Sequence, residues 1–268
     1  MLTFIISMRA RALSKDWSHH TQLLEWTVDS ILAQTDPRFE VVVVCHDVPD
    51  IPPHPKVHML PVTFPPPPRR NNDDMCVDKV LKVSAGVDWA VARGADFVMF
   101  VDADDLVSRR LSAFVAQHPA ANGWYFHDGF VHRYGERWLR SHAPHHLICG
   151  TGVIARTRLL RSAPSEFCRG AVANTLANAG IDWYRPHLAE QGTPIERLPF
   201  PGAVYVLHPD STSEVPGGAG YRLGGAADLR PLWLRALSRA KRVAIQLPTL
   251  RLITPRLRAE FTIPRTAL

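Results

Sequence analysis

Three aspartates, Asp102, Asp104 and Asp105, fall directly after the apolar run 97–101. Carboxylates this close repel one another unless a proton or a cation compensates. A hard divalent ion is the natural compensator, because such ions take one or two protein carboxylates together with the oxygens of a substrate phosphate. An isolated D-x-D is more often a solvated acidic turn, so the element that delivers it decides the reading. A short apolar run met at once by charge reads as a strand buried on both faces, with the aspartates at its C-terminal end. In open α/β sheets ligands bind at that end, in the crevice left by the loops.

The elements that must position this cluster follow in chain order. Leu2–Ser7 reads as the first strand, and the loop after it carries Arg9, Arg11 and Lys15. A helix capped by Asp16 or Ser18 places Leu24, Val28 and Ile31 on one face, and Asp36-Pro37 ends it. Phe39–Cys45 is a second continuously apolar strand, with His46 and Asp47 after it, and 57–64 a shorter third. Strand, helix, strand with apolar interiors implies a parallel sheet and a right-handed crossover. The prolines of 65–68 stiffen a loop that runs on through Arg69 and Arg70. A helix over 75–92 then carries Val80, Val83, Val87 and Val91 on one face and Asp78, Lys79 and Lys82 on another, and Gly94 stops it before the central strand.

Composition bounds the function. The chain has 268 residues, 46% of them hydrophobic, enough for one large α/β domain or a domain with an appendage. Its formal net charge of +6 suits phosphate-bearing small molecules or an anionic membrane surface and does not call for nucleic acid. Cys45, Cys76, Cys149 and Cys168 show no C-x-x-C spacing and read as reduced thiols of a cytoplasmic protein. The opening residues read as a strand and not a signal peptide, and no apolar run is long enough to cross a bilayer. The expected location is cytoplasmic, with peripheral attachment at the inner face of the membrane as an option.

Residues 1–110 resemble a GT-A-fold glycosyltransferase of the family-2 type. The resemblance is carried by the opening strand, by Ser30-Ile31-Leu32-Ala33-Gln34-Thr35 closing the first helix, and by Phe39-Glu40 leading the second strand. It continues with Ala92-Arg93-Gly94-Ala95-Asp96 closing the second helix and with the aspartates after the central strand. The sequence departs from the family where strand two ends in Cys45-His46-Asp47-Val48 rather than in aspartates followed by Gly-Ser, and where Lys82-Val83-Ser84-Ala85-Gly86 replaces Ala-Arg-Asn. The resemblance implies an open, mostly parallel GT-A sheet flanked by helices, with a smaller acceptor-side region and a C-terminal helical tail. The implied partition is 1–228 for the transferase domain, its donor half ending at 110 and its acceptor half spanning 111–228, with a basic tail over 229–268. It implies a UDP-linked nucleotide-sugar donor, Mn²⁺ or Mg²⁺, and a glycan or lipid-linked acceptor. Donor contacts would fall at Ser7, Arg9, Asp47, Asp78, Lys82, Asp102 and Ala103, and the metal at Asp102, Asp104 and a downstream histidine, His208.

Past the centre, 106–117 reads as a short helix bringing Arg109 and Arg110 near the acidic cluster, and 123–131 and 137–139 read as strands. His142, His145, His146 and Cys149 fall at helical spacing like zinc ligands, but Ala143-Pro144 would interrupt the helix, which favours an acceptor-side loop. Gly150 and Gly152 lie in a small-residue segment that resembles the acceptor-site floor of these transferases. Asp182 stands where the family places its catalytic base, with a helix N-cap as the competing role and His187 and Glu190 in reserve. His208 follows an apolar run and is read either as the last metal ligand or as a histidine bonded in the turn before Pro209. Residues 217–225 read as a glycine-rich flap. In the basic tail, Trp233, Leu237, Ala240 and Ala244 share one helical face and Arg235, Arg239 and Arg242 another, which suits either an anionic membrane or docking on the domain.

Other functions fit less well. A nucleotidyltransferase would need a glycine-rich phosphate loop after strand one, and residues 7–15 contain no glycine. A phosphatase with an aspartyl nucleophile would carry its D-x-D on the first strand. A non-catalytic sugar-nucleotide or glycan-binding module has no need of this set of carboxylates and histidine.

Overall fold

The computed structural model describes residues 1–68, 72–147, 149–160, 185–186, 188–208 and 247–265. In chain order these form β1 (Leu2–Ser7), α1 (Trp17–Leu32), β2 (Phe39–Cys45), β3 (Val57–Pro61), α2 (Asn72–Ala92), β4 (Phe97–Asp102), β5 (Leu106–Val107) and α3 (Leu111–Gln117). There follow β6 (Gly123–Tyr125), β7 (Gly129–Arg133), β8 (Trp138–His142), β9 (Val153–Arg156), α4 (Thr157–Leu160), β10 (Glu196–Arg197), β11 (Ala203–Leu207), β12 (Leu250–Leu252) and α5 (Pro255–Phe261).

The larger sheet has the order β10-β6-β9-β4-β1-β2-β3. Its β4-β1-β2-β3 half is parallel, while β9 runs antiparallel to β4. Strand alternation explains its two-sided burial. Leu2, Phe4 and Ile6 of β1, Val41 and Val43 of β2 and Phe97, Met99 and Val101 of β4 pack with Leu24, Val28 and Ile31 of α1 and Leu111 and Val115 of α3. The intervening Ile5, Val42, Val44, Val98 and Phe100 pack with Val83, Val87 and Ala90 of α2 on the other face. Asp16 caps α1, accepting from the His19 amide at 2.9 Å. Gly86 lets α2 lie close to β1, since a Cβ there would stand 2.4 Å from Ile5 Cγ2. The expected mostly parallel α/β sheet flanked by helices is therefore present.

A second sheet, ordered β12-β8-β7-β11-β5, was not foreseen. The residues read as one helix over 106–117 divide into β5 and α3, because Leu106 and Val107 pair with Val204 and Ala203. Strands over 123–131 and 137–139 become β6, β7 and β8. Within the expected helical tail, Pro255–Phe261 is helical as α5, and the strand before it joins the second sheet. β12 pairs with β8, and Phe261 and Ile263 are buried with Leu106, Phe130, Leu139 and Val204. Arg110 faces this C-terminal segment and not the acidic cluster, its Nε 2.7 Å from Glu260 Oε1, and the Arg109 amide bonds the Glu260 carbonyl. Asp182, His187, the 217–225 flap and the amphipathic stretch 231–246 lie outside the described residues.

Candidate functional site

The parallel strands β1 and β4 are neighbours and end side by side, Ser7 in register with Asp102. β1 lies between β4 and β2 in the sheet, so the C-terminal ends of β1 and β4 form a topological switch point, the place where open α/β sheets form their ligand crevice. Asp102 closes β4, Ala103 and Asp104 form the turn, and Asp105 enters the interior before β5. Because β11 runs antiparallel to β5, it returns the chain to where β5 began. That reversal delivers His208 to the turn, with its Nε2 2.9 Å from Asp104 Oδ2 across 104 residues of sequence. His208 is buried, and Asp104 is partly exposed. Burial pushes the Asp104 carboxyl up, but the bond to His208 and the charges of His208, Arg9 and Lys79 outweigh it and lower its pKa.

Asp105 plays a different part from its neighbours. It is fully buried and accepts three hydrogen bonds, from the Val206 amide at 3.1 Å, Thr151 Oγ1 at 2.5 Å and Cys149 Sγ at 3.1 Å. Burial and then the charges of Asp104 and Asp102 push its pKa well above the usual carboxylate range, against the bonds from Thr151 and Cys149. Thr151 Oγ1 also accepts from the Asp102 amide at 2.9 Å. One side chain thus ties the aspartate turn, the 149–151 segment and β11 together. Gly150 of that segment lies so close that a Cβ would stand 2.5 Å from both Asp102 Oδ2 and Lys79 Nζ.

The basic groups are distributed on three elements. Lys79 of α2 ion-pairs directly with Asp102 Oδ1. Arg9, after β1, holds His20 Nε2 at 3.0 Å, and the other nitrogen of that ring lies 2.6 Å from Ser14 Oγ. The rings of His19 and His20 meet His208 edge-on, at 5.5 Å and 5.8 Å between centroids. Asp47 accepts from the Arg11 amide at 2.8 Å and so pins the loop after β1. Asp78 and Lys82 lie beneath the crevice: Lys82 is fully buried, with Nζ 2.6 Å from Asp78 Oδ2 and 2.7 Å from the Met8 carbonyl. Burial lowers the Lys82 pKa, and Asp78 opposes that shift. This pair faces the protein and not an open donor cleft.

The structure thus brings Ser7, Arg9, Asp102, Ala103, Asp104 and His208 to one crevice mouth and sets Asp78 and Lys82 below it. Sequence reasoning missed Lys79, Thr151 and Cys149 as partners of the aspartates, and His19 and His20 as neighbours of His208. The only signals were the polar face of α2 and two histidines in the first turn of α1. Among the described residues, no three of His, Cys, Asp and Glu form a ready metal centre, and this holds for the histidines of 142–146 as for the aspartates. His145 is instead a buried neutral imidazole against Gly129. The donor set of Asp102, Asp104 and His208 nonetheless fits a divalent ion that arrives with a phosphate, since such ions seldom need a complete protein cage. His208 already touches Asp104, and Asp102 is held by Lys79.

No family model matches the chain, and no curated protein does. Among solved structures, the crystal structure of S. aureus TarS matches at 15% identity with a TM-score of 0.39. The match covers 80% of this chain and 38% of TarS, so the chain spans well under half the length of that protein. At this distance the likeness carries no argument about the site, and the functional reading rests on the geometry above.

Proposed function

We propose that this protein transfers a sugar from a nucleotide-diphosphate donor to an acceptor hydroxyl with the help of a divalent metal. The observation that carries the reading is the meeting of Asp104 and His208 at the crevice mouth beside Asp102, delivered there by two different sheets. Asp102, Asp104 and His208 would hold the ion, and an imidazole among them favours Mn²⁺ over Mg²⁺. When bound, the ion neutralises the diphosphate and offsets charge developing on the leaving nucleotide. Without an ion, His208 Nε2 donates to the Asp104 carboxylate, whose pKa is lowered, and ligation by that nitrogen would replace this hydrogen bond. Arg9 supplies positive charge at the same mouth. In the transfer, the acceptor oxygen bonds to the anomeric carbon while that carbon's bond to the phosphate oxygen breaks. Asp182 takes the hydroxyl proton in this reading. Donor identity, a UDP-linked sugar, and a glycan or lipid-linked acceptor belong to the same proposal.

The test is release of nucleoside diphosphate from a panel of nucleotide sugars, with Mn²⁺, with Mg²⁺ and after exhaustive chelation. Metal-dependent turnover by wild type and its loss in Asp104→Asn, with an unchanged melting temperature, is the expected outcome. Turnover unaffected by chelation, or a fully active Asp104→Asn protein, would overturn the assignment.

A further inference from the structure

Two lysines on α2, three residues apart, meet aspartates in opposite circumstances. Lys82 is sealed with Asp78, its side chain 1% exposed, and such a buried pair is costly to break. Lys79 pairs with Asp102 where its own side chain is 40% exposed and that of Asp102 is 25% exposed. A partly exposed pair of this kind contributes little, on the order of 1 kcal/mol or less, so its partners exchange readily. The oxygen Lys79 holds, Asp102 Oδ1, belongs to the donor set proposed for the metal. The Lys79 ammonium also lies beside Gly150 at the crevice mouth, where the aspartate turn and the 149–151 segment converge.

Charge balance says what this arrangement does. Asp105 is turned into the interior by Thr151 and the Val206 amide, which leaves the carboxyls of Asp102 and Asp104 at the mouth, the first of them paired with Lys79. A divalent ion with a nucleotide-diphosphate sugar brings two positive charges and two negative ones. If the ion takes the carboxylates, the ammonium that neutralised Asp102 is released beside the incoming phosphates.

We propose that Lys79 is an exchangeable counter-ion, which holds Asp102 until metal and donor arrive and then pairs with the donor's diphosphate. This rests on the metal-dependent reading of the site given above. The exchange forms no covalent bond: the Lys79–Asp102 ion pair opens, Asp102 Oδ1 becomes a metal ligand, and the ammonium turns to a phosphate oxygen. Lys79 therefore opposes binding of the metal alone and favours binding of the metal with nucleotide.

The experiment measures free Mn²⁺ by electron paramagnetic resonance in titrations of wild type, Lys79→Gln and Lys79→Arg, first without nucleotide and then with UDP as the probe. Melting curves confirm that all three are folded. Lys79→Gln should bind Mn²⁺ alone more tightly, by up to about fivefold, the factor for losing a partly exposed competing ion pair. It should bind UDP in the presence of Mn²⁺ more weakly than wild type, and Lys79→Arg should follow wild type in both titrations. If wild type takes up Mn²⁺ with UDP but all three proteins have equal affinities, the role of Lys79 is overturned and the metal site stands. If wild type takes up no Mn²⁺ with or without UDP, both are overturned.

Discussion

Replacing Asp105 with leucine tests whether one buried carboxyl fastens the aspartate turn. The substitution takes the acceptor from two donors, the Val206 amide and the Thr151 hydroxyl, and leaves the Cys149 thiol only the Thr151 carbonyl at 3.7 Å. An unsatisfied buried donor costs about 1–3 kcal/mol, the thiol least because it is a weak donor. Relief from burying a carboxyl among Asp102 and Asp104 offsets part of this, leaving a net loss of about 3 kcal/mol. For a domain of this size that corresponds to a fall in Tm of about 6–12 °C. Asp105→Asn keeps an oxygen for Val206 but offers an amide toward the Thr151 hydroxyl, so it should lose about 1 kcal/mol. The functional effect should exceed the stability effect. Thr151 loses its anchor while it holds the Asp102 amide, so the metal-activation midpoint should rise even in Asp105→Asn. Denaturant unfolding and Mn²⁺ titration of activity, run on the same preparations, supply both numbers. A leucine variant within 0.5 kcal/mol of wild type, with an unchanged activation midpoint, would refute the tethering role.

Other predictions follow from the same contacts. Gly150→Ala should shift the Asp102–Lys79 pair, lowering activity at limiting metal while Tm moves by no more than about 2 °C, since the atoms crowded are side-chain ends. Lys82→Met should cost about 3–5 kcal/mol by stranding the Asp78 charge, and the double variant with Asp78→Leu should recover most of it; chemical denaturation reads both. Burial, followed by the charges of His142 and His146 and opposed by Asp128, lowers the His145 pKa from 6.5 to about 3. The unfolded chain therefore binds a proton that the folded one refuses, so this contribution to stability is complete above pH 6.5 and is lost as pH falls toward 3. His145→Leu should reduce the slope of stability against pH by about 1.4 kcal/mol per unit between those limits, measured by denaturant unfolding, even though His142 and His132 are also lowered by burial. Asp182→Ala should still bind nucleotide in equilibrium dialysis but transfer sugar very slowly, and a normal rate would return the residue to the role of a helix cap.

What the sequence determined by itself is the half of the molecule built from long, regular elements. Leu2–Ser7, Phe39–Cys45 and Phe97–Asp102 are apolar on both faces, and such strands are stable only between two layers of helix, which dictates the parallel sheet and places Asp102 at a strand end. The second sheet was hidden at its edges, where the strands are too short to show a period: β5 has two residues and β12 three. Each exists only through its partner, β11 in one case and β8 in the other, and such pairings are decided by tertiary packing. The site divides along the same line. The aspartate cluster and the apolar run before His208 were legible as local patterns. Which carboxylate meets which cation was not, because the choice between Lys79 and Lys82 depends on burial. Two side chains one helical turn apart at most, on the same polar face, end with one sealed beneath β1 and the other at the crevice mouth. The separate task of Asp105 likewise appears only when Thr151 and Val206, distant in the chain, close around it.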